Sequence, residues 1–155
     1  MIIDNNQLWV EWRLYTFTNV YISSIQKGIQ TAHVVSDLFA KYSNKNYCLN
    51  EWASNHKTII VLNGGNQSML EQTFRDMETF AEKGNYPFVM FKEDTQSLNG
   101  AVTAIGIVLP SEIYNLQKLY RNEDGSIDEA KLDYVKRCID QTPFLDTLFK
   151  ASLAI

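Results

Sequence analysis

The run Ala101-Val102-Thr103-Ala104-Ile105-Gly106-Ile107-Val108-Leu109 is the strongest strand signal in the chain, and the fold is read outward from it. Its branched apolar side chains fit a pleated, packed surface and it carries no charge. Upstream, past a polar loop, Pro87 precedes a second short strand, Phe88-Val89-Met90-Phe91. Before that, Ser68 stands three residues ahead of Glu71, a capping box that starts a helix. Leu70, Phe74, Met77 and Ala81 form its buried stripe, and Gly84 is its stop. Thr58-Ile59-Ile60-Val61-Leu62 is continuously apolar, the pattern of a strand buried on both faces, and Asn63-Gly64-Gly65-Asn66 breaks it.

Further towards the N-terminus, residues 43–57 are polar, with Trp52 as their anchor into the core. The spacing predicts a helix from Ile25 to Tyr42, capped by Ser23 or Ser24, with Ile25, Ile29, Ala32, Val35 and Phe39 as its apolar stripe. Residues 7–17 are rich in aromatic and branched side chains and read as the first strand. Downstream, Ser126 and Glu129 form a further capping box ahead of a helix with Leu132, Val135 and Ile139 inward. Thr142-Pro143 opens a last helix on which Phe144, Leu148 and Phe149 lie close together. Strand, helix, strand, helix, strand, strand is an α/β order, and it implies a mixed sheet with helices packed on its faces.

Composition narrows the class. The chain has 155 residues, 45% hydrophobic and 21% charged, enough for one domain with a real core. No run reaches the roughly 20 apolar residues of a membrane span, and Met1-Ile2-Ile3-Asp4-Asn5-Asn6 lacks the features of a signal peptide. Cys48 and Cys138 show no C-x-x-C spacing and fit a reducing cytoplasm, so a cytoplasmic protein is expected. The net charge of −4 is uneven: residues 1–67 hold five Lys/Arg against four Asp/Glu, and residues 68–155 hold nine against fourteen. The only basic group is Lys27, Lys41, Lys45 and Lys57, which argues mildly against strong non-specific RNA binding.

Two segments carry chemistry. Lys27-Gly28-Ile29-Gln30-Thr31-Ala32-His33 lies at the start of the first helix, and Thr95-Gln96-Ser97-Leu98-Asn99-Gly100-Ala101-Val102-Thr103 leads into the last strand. In this order they resemble the signature of the type II peptidyl-tRNA hydrolases, the archaeal and eukaryotic kind. That family's motifs read G-K-x-x-x-Q-x-x-H and D-x-x-x-T-Q-x-x-x-G-x-x-T. The resemblance covers about residues 7–110. It implies a mixed four-stranded sheet with helices on both faces, a possible homodimer, tRNA or another nucleotide-containing ligand as partner, and hydrolysis of the ester between a peptide and tRNA. No membrane partner, cofactor or metal is implied. Residues 1–110 are expected to form the peptidyl-tRNA hydrolase-like domain, with 111–155 as a C-terminal helical extension packed on it.

Position by position, the resemblance assigns Gln30 and His33 to the family's Q-x-x-H, Thr95 and Gln96 to its T-Q, Gly100 to its turn and Thr103 to its final threonine. The family's lysine position is Gln26 here, with Lys27 beside it, about 100° around the helix. The family's aspartate position is Phe91, and Glu93 and Asp94 offer carboxylates on the same loop. The implied chemistry needs a carboxylate for water and a cation or hydroxyl for the oxyanion. The expected catalytic residues are therefore Lys27, Glu93, Asp94, Thr95 and Thr103, and the substrate-binding ones Gln26, Gln30, His33, Gln96 and Gly100.

Other motifs carry less. Asn63-Gly64-Gly65-Asn66 could hold a phosphate at a helix N-terminus, but it lacks a P-loop lysine and reads better as a tight turn. Asn122-Glu123-Asp124-Gly125 would need ligands at Tyr120 and Lys131 to hold calcium, which excludes it. His33 and His56 have no metal-ligand spacing. Besides a hydrolase, two functions stay open: an inactive binding module on the same scaffold, and an interaction protein acting through its acidic C-terminal helices.

Overall fold

The computed structural model describes residues 10–94 and 100–154. Four strands, β1 (Trp12–Thr18), β2 (Thr58–Asn63), β3 (Phe88–Lys92) and β4 (Val102–Pro110), form one mixed sheet in the order β2-β1-β4-β3. β1 and β2 run parallel, and β4 runs antiparallel to both of its neighbours, β1 and β3. The expected α/β class and mixed four-stranded sheet are present. Six α-helices accompany the sheet among the described residues: α1 (Ser24–Tyr42), α2 (Tyr47–Glu51), α3 (Gln67–Gly84), α4 (Ser111–Asn115), α5 (Glu129–Gln141) and α6 (Pro143–Lys150). None is long and apolar enough to cross a membrane.

Strand alternation divides the core. Leu14, Ala104 and Val108 face α1 and α2, where they pack with Val34, Leu38, Leu49 and Trp52. Tyr15, Phe17, Ile105, Ile107 and Leu109 face α3 and α6, against Leu70, Met77, Phe144, Leu145 and Leu148. β4 is buried at every position, as a central strand between two helical layers must be. Gly106 lets α1 come close, since a Cβ there would run into Val34 Cγ1, on a side chain that is stiff at χ1.

Several sequence expectations need correction. β1 covers Trp12–Thr18 rather than 7–17, with residues 7–9 outside the described part. β2 is an edge strand, not one buried on both faces, and Ile59 is 45% exposed. Its outer edge is partly covered by the C-terminal segment, where Asn63 N–H donates to Ser152 and Ala154 N–H to Val61, each at 2.9 Å. Asn66, not Ser68, caps α3, taking the Met69 amide at 2.9 Å, and Asp128, not Ser126, caps α5. α3 runs through Gly84, and Asn85 takes the left-handed cap (φ 55°). Trp52 is buried as expected, its indole N–H donating to Thr58 O at 2.8 Å.

The largest correction concerns α1. Its inward residues are Gln30, Thr31, Val34 and Leu38, while Ile25 and Ile29 are exposed, Ala32 is exposed, and Val35 and Phe39 are only partly buried. Two polar side chains thus sit where the hydrophobic stripe was expected. Thr31 Oγ1 meets Thr16 Oγ1 of β1 at 3.2 Å in a buried contact that satisfies both hydroxyls.

Candidate functional site

The β1–α1 connection and the β3–β4 loop meet at one end of the sheet, because β4 starts where the antiparallel β1 stops. The first segment and the described residues of the second, 100–103, therefore lie at that end. α1 begins there with a reciprocal cap: Ser23 Oγ takes the Gln26 amide at 3.2 Å, and Ser23 N–H donates to Gln26 Oε1 at 3.1 Å. Gln26 serves as the reciprocal cap of α1 and is exposed. Lys27 is half-buried, three residues before Gln30 and hence on the same side of the helix.

Gln30 is 6% exposed. Its side-chain amide donates from Nε2 to Glu93 Oε1 at 2.5 Å, joining α1 to the loop after β3 across 63 residues of sequence. Gln30 Oε1 is buried with no hydrogen-bond partner. The loop is shaped by backbone bonds, from Glu93 N–H to Ala101 O at 2.9 Å and from Gly100 N–H to Asp94 O at 3.1 Å. Gly100 sits at φ +71°, a left-handed conformation that glycine adopts freely.

Thr103 lies at a register break. Phe91 pairs with Ala104 and Lys92 with Val102, which leaves Thr103 as the extra residue of a β-bulge. Its carbonyl accepts from Asn19 N–H at 2.9 Å, and its hydroxyl is buried without a partner in a residue only 1% exposed. The bulge, the Gln30 oxygen and the Thr103 hydroxyl are three departures from a fully satisfied interior at one end of one sheet. Such departures cluster at functional sites.

His33 is exposed, one turn beyond Gln30, and its ring lies flat on Phe91 with centroids 4.5 Å apart and planes 6° from parallel. Phe91 thus presents an aromatic face to the imidazole at the end of β3. The sequence reading named Phe91 as a departure and missed this stack. Helical spacing puts His33 beside Gln30, but only the β3–α1 packing brings the two rings together. Asp94 is exposed. Thr95 and Gln96 lie outside the described residues.

The basic group does not form one surface. Lys27 and Lys41 stand 14 residues apart on α1, about 21 Å at 1.5 Å per residue. Lys41 is engaged at the far end, with Nζ 2.9 Å from Phe88 O and 3.8 Å from the centre of its ring. Among the described residues, no three His, Cys, Asp or Glu side chains are grouped to hold a metal ion. The arrangement holds the Glu93 carboxylate against Gln30, with Lys27 one helical turn before Gln30 and the His33–Phe91 stack one turn after it. No protein-family model matches the chain, and no curated protein matches it either.

Proposed function

We propose that this protein hydrolyses the ester between a peptide or aminoacyl group and the 3′ end of tRNA, as a divergent relative of the type II peptidyl-tRNA hydrolases. One observation carries the reading: Gln30 Nε2 holds Glu93 Oε1 at 2.5 Å. That bond returns a carboxylate to the glutamine of the first motif, although Phe91 stands at the family's aspartate position. In this reading Glu93 orients and deprotonates the attacking water, Lys27 stabilises the developing oxyanion, and Gln30 positions Glu93. His33 and Phe91 receive the terminal base by stacking. The mixed sheet order β2-β1-β4-β3, with Gln30 and Glu93 joined at one end of it, supports this reading.

Incubation with N-acetyl-aminoacyl-tRNA tests the proposal. The wild-type protein should release the acyl amino acid, and Glu93→Gln should lower the rate by about 100-fold or more. A wild-type rate equal to spontaneous hydrolysis would count against it.

A second reading is favoured by the His33–Phe91 stack alone. It makes the protein a binding module that holds a tRNA end or nucleotide without cleaving it. Saturable binding of deacylated tRNA, lost in His33→Ala and accompanied by no hydrolysis of the acylated form, would select it.

A further inference from the structure

The end of the sheet that carries Gln30 and Glu93 is also where apolar side chains reach solvent. Tyr21 is 83% exposed and Ile25 78%, and Val20, Ile29 and Met69 are exposed with them. Hydrogen bonds join these residues into one rim and tie it to the site. Asn19 N–H donates to Thr103 O at the bulge, and Val20 N–H donates to Gly65 O, each at 2.9 Å. Met69 lies over Gly65, where an added Cβ would fall 2.6 Å from its Sδ. Ile25 and Ile29, one turn apart on α1, continue the rim to the residue next to Gln30.

The fold does not need these side chains. α1 packs on the sheet through Gln30, Thr31, Val34 and Leu38, and isoleucine is a poorer helix former than the charged residues usual on a solvent face. Apolar side chains scattered singly over a surface are ordinary, whereas contiguous ones mark a binding surface. The rim is also uncharged. Segments 19–26 and 63–70 hold no charged residue, in a chain with 14 Lys/Arg and 18 Asp/Glu. A phosphate backbone or an anionic membrane would call for cations here, and Lys27 is the one charged side chain in residues 19–36. An uncharged apolar ligand matches what is present. Tyr21 offers it a rigid aromatic wall, and the unbranched thioether of Met69 adapts to side chains of different shape.

We propose that the rim holds the apolar side chains of the acyl group, a peptide or N-acylated amino acid, whose ester lies at Glu93. Esters of apolar acyl groups are thereby the preferred substrate class. The preference in cleavage rests on the hydrolase reading, and recognition of an apolar peptide by the rim can be measured without cleavage.

Two measurements on the full chain test the proposal. In the first, kcat/KM is compared for N-acetyl-leucyl and N-acetyl-glycyl esters of one tRNA. The leucyl ester should be cleaved about tenfold faster or more. The double variant Tyr21→Ser/Ile25→Ser, two exposed changes, should bring the ratio within about twofold, while Leu119→Ser, an exposed change on the α4–α5 connection, should leave it as in wild type. In the second, amide NMR signals are followed during titration with N-acetyl-Leu-Phe-amide and N-acetyl-Gly-Gly-amide. The apolar peptide should shift the signals of Val20, Tyr21, Ile25, Ile29 and Met69 below about 10 mM, and the glycyl peptide should not. Binding of the apolar peptide at the rim with no cleavage of either ester would refute the hydrolase reading and leave the rim as a peptide site. Cleavage indifferent to the acyl group, a preference that survives the double variant, or no shift with the apolar peptide would overturn the proposal. So would rim signals that move with protein concentration alone, which would assign the rim to a second copy of the chain, or with deacylated tRNA in place of peptide.

Discussion

Replacing Gln30 tests the chemistry of the α1 site without reference to any substrate. Gln30 makes one hydrogen bond to a carboxylate and leaves one buried oxygen unsatisfied. A bond to a charged group contributes about 1.5–3 kcal/mol, and an orphaned buried acceptor costs about 1–3 kcal/mol. Gln30→Leu removes both and keeps a similar volume, so the terms offset and stability should change by less than about 1 kcal/mol. Gln30→Glu retains the shape but sets two carboxylates against each other. Two like charges about 4 Å apart repel by roughly 4 kcal/mol at an effective dielectric of 20. The pair then holds one proton in acid, with one carboxyl raised above its unfolded value. The variant should therefore be strongly destabilised at pH 7.5 and recover as the pH falls towards 5, while wild type should show no such recovery. Urea denaturation followed by tryptophan fluorescence reads both, since Trp52 is buried in the α1 layer. A Gln30→Leu loss above about 3 kcal/mol, or a Gln30→Glu deficit equal at the two pH values, would refute the placement of Glu93 against Gln30.

Three further outcomes follow from the packing. Gly106→Ala should destabilise by about 1–3 kcal/mol, lowering Tm by about 2–4 °C per kcal/mol in a chain of this size, because its Cβ collides with Val34 across the α1 contact. Asn66→Ala should cost about 1 kcal/mol by thermal denaturation and Ser68→Ala almost nothing, since Asn66 holds the Met69 amide. Burial pushes the Cys48 thiol up from 9.0 to about 11. With the folded value above the unfolded one, this thiol's contribution to stability is whole below pH 9 and is lost as pH rises through about 11. Alkylation of Cys48 in the folded protein should accordingly stay slow at pH 8–9 and accelerate only towards pH 11, and rapid labelling at pH 8 would contradict that environment.

Where hydrophobic pattern and tertiary packing agree, the sequence was readable. The uncharged run into Leu109 is a central strand, and Leu70, Met77 and Ala81 face inward as their spacing predicts. The reading failed where long-range polar contacts decide. On α1, Ile25 and Ile29 have the stronger hydrophobic claim, but Thr16 and Glu93 draw Thr31 and Gln30 inward and so fix the helix's rotation. Neither partner is visible from within the helix. β2 looks doubly buried because it is apolar throughout, yet it lies at the sheet edge, and segment 152–154, distant in sequence, covers part of it. The caps at Asn66 and Asp128 lie within two residues of serines with equal capping chemistry, and spacing alone does not choose between them. For the site, the sequence supplied Gln30, His33, Glu93 and Thr103, but the stack of Phe91 on His33 required the packing of β3 against α1.

The most direct measurement of the central claim is single-turnover cleavage of N-acetyl-aminoacyl-tRNA by wild type and Glu93→Gln, with tRNA binding followed in parallel. If Glu93 is the displaced carboxylate, the variant keeps its affinity for tRNA within about threefold while its cleavage rate falls about 100-fold or more. Cleavage that survives the substitution, or is absent in wild type while tRNA still binds, would contradict the account.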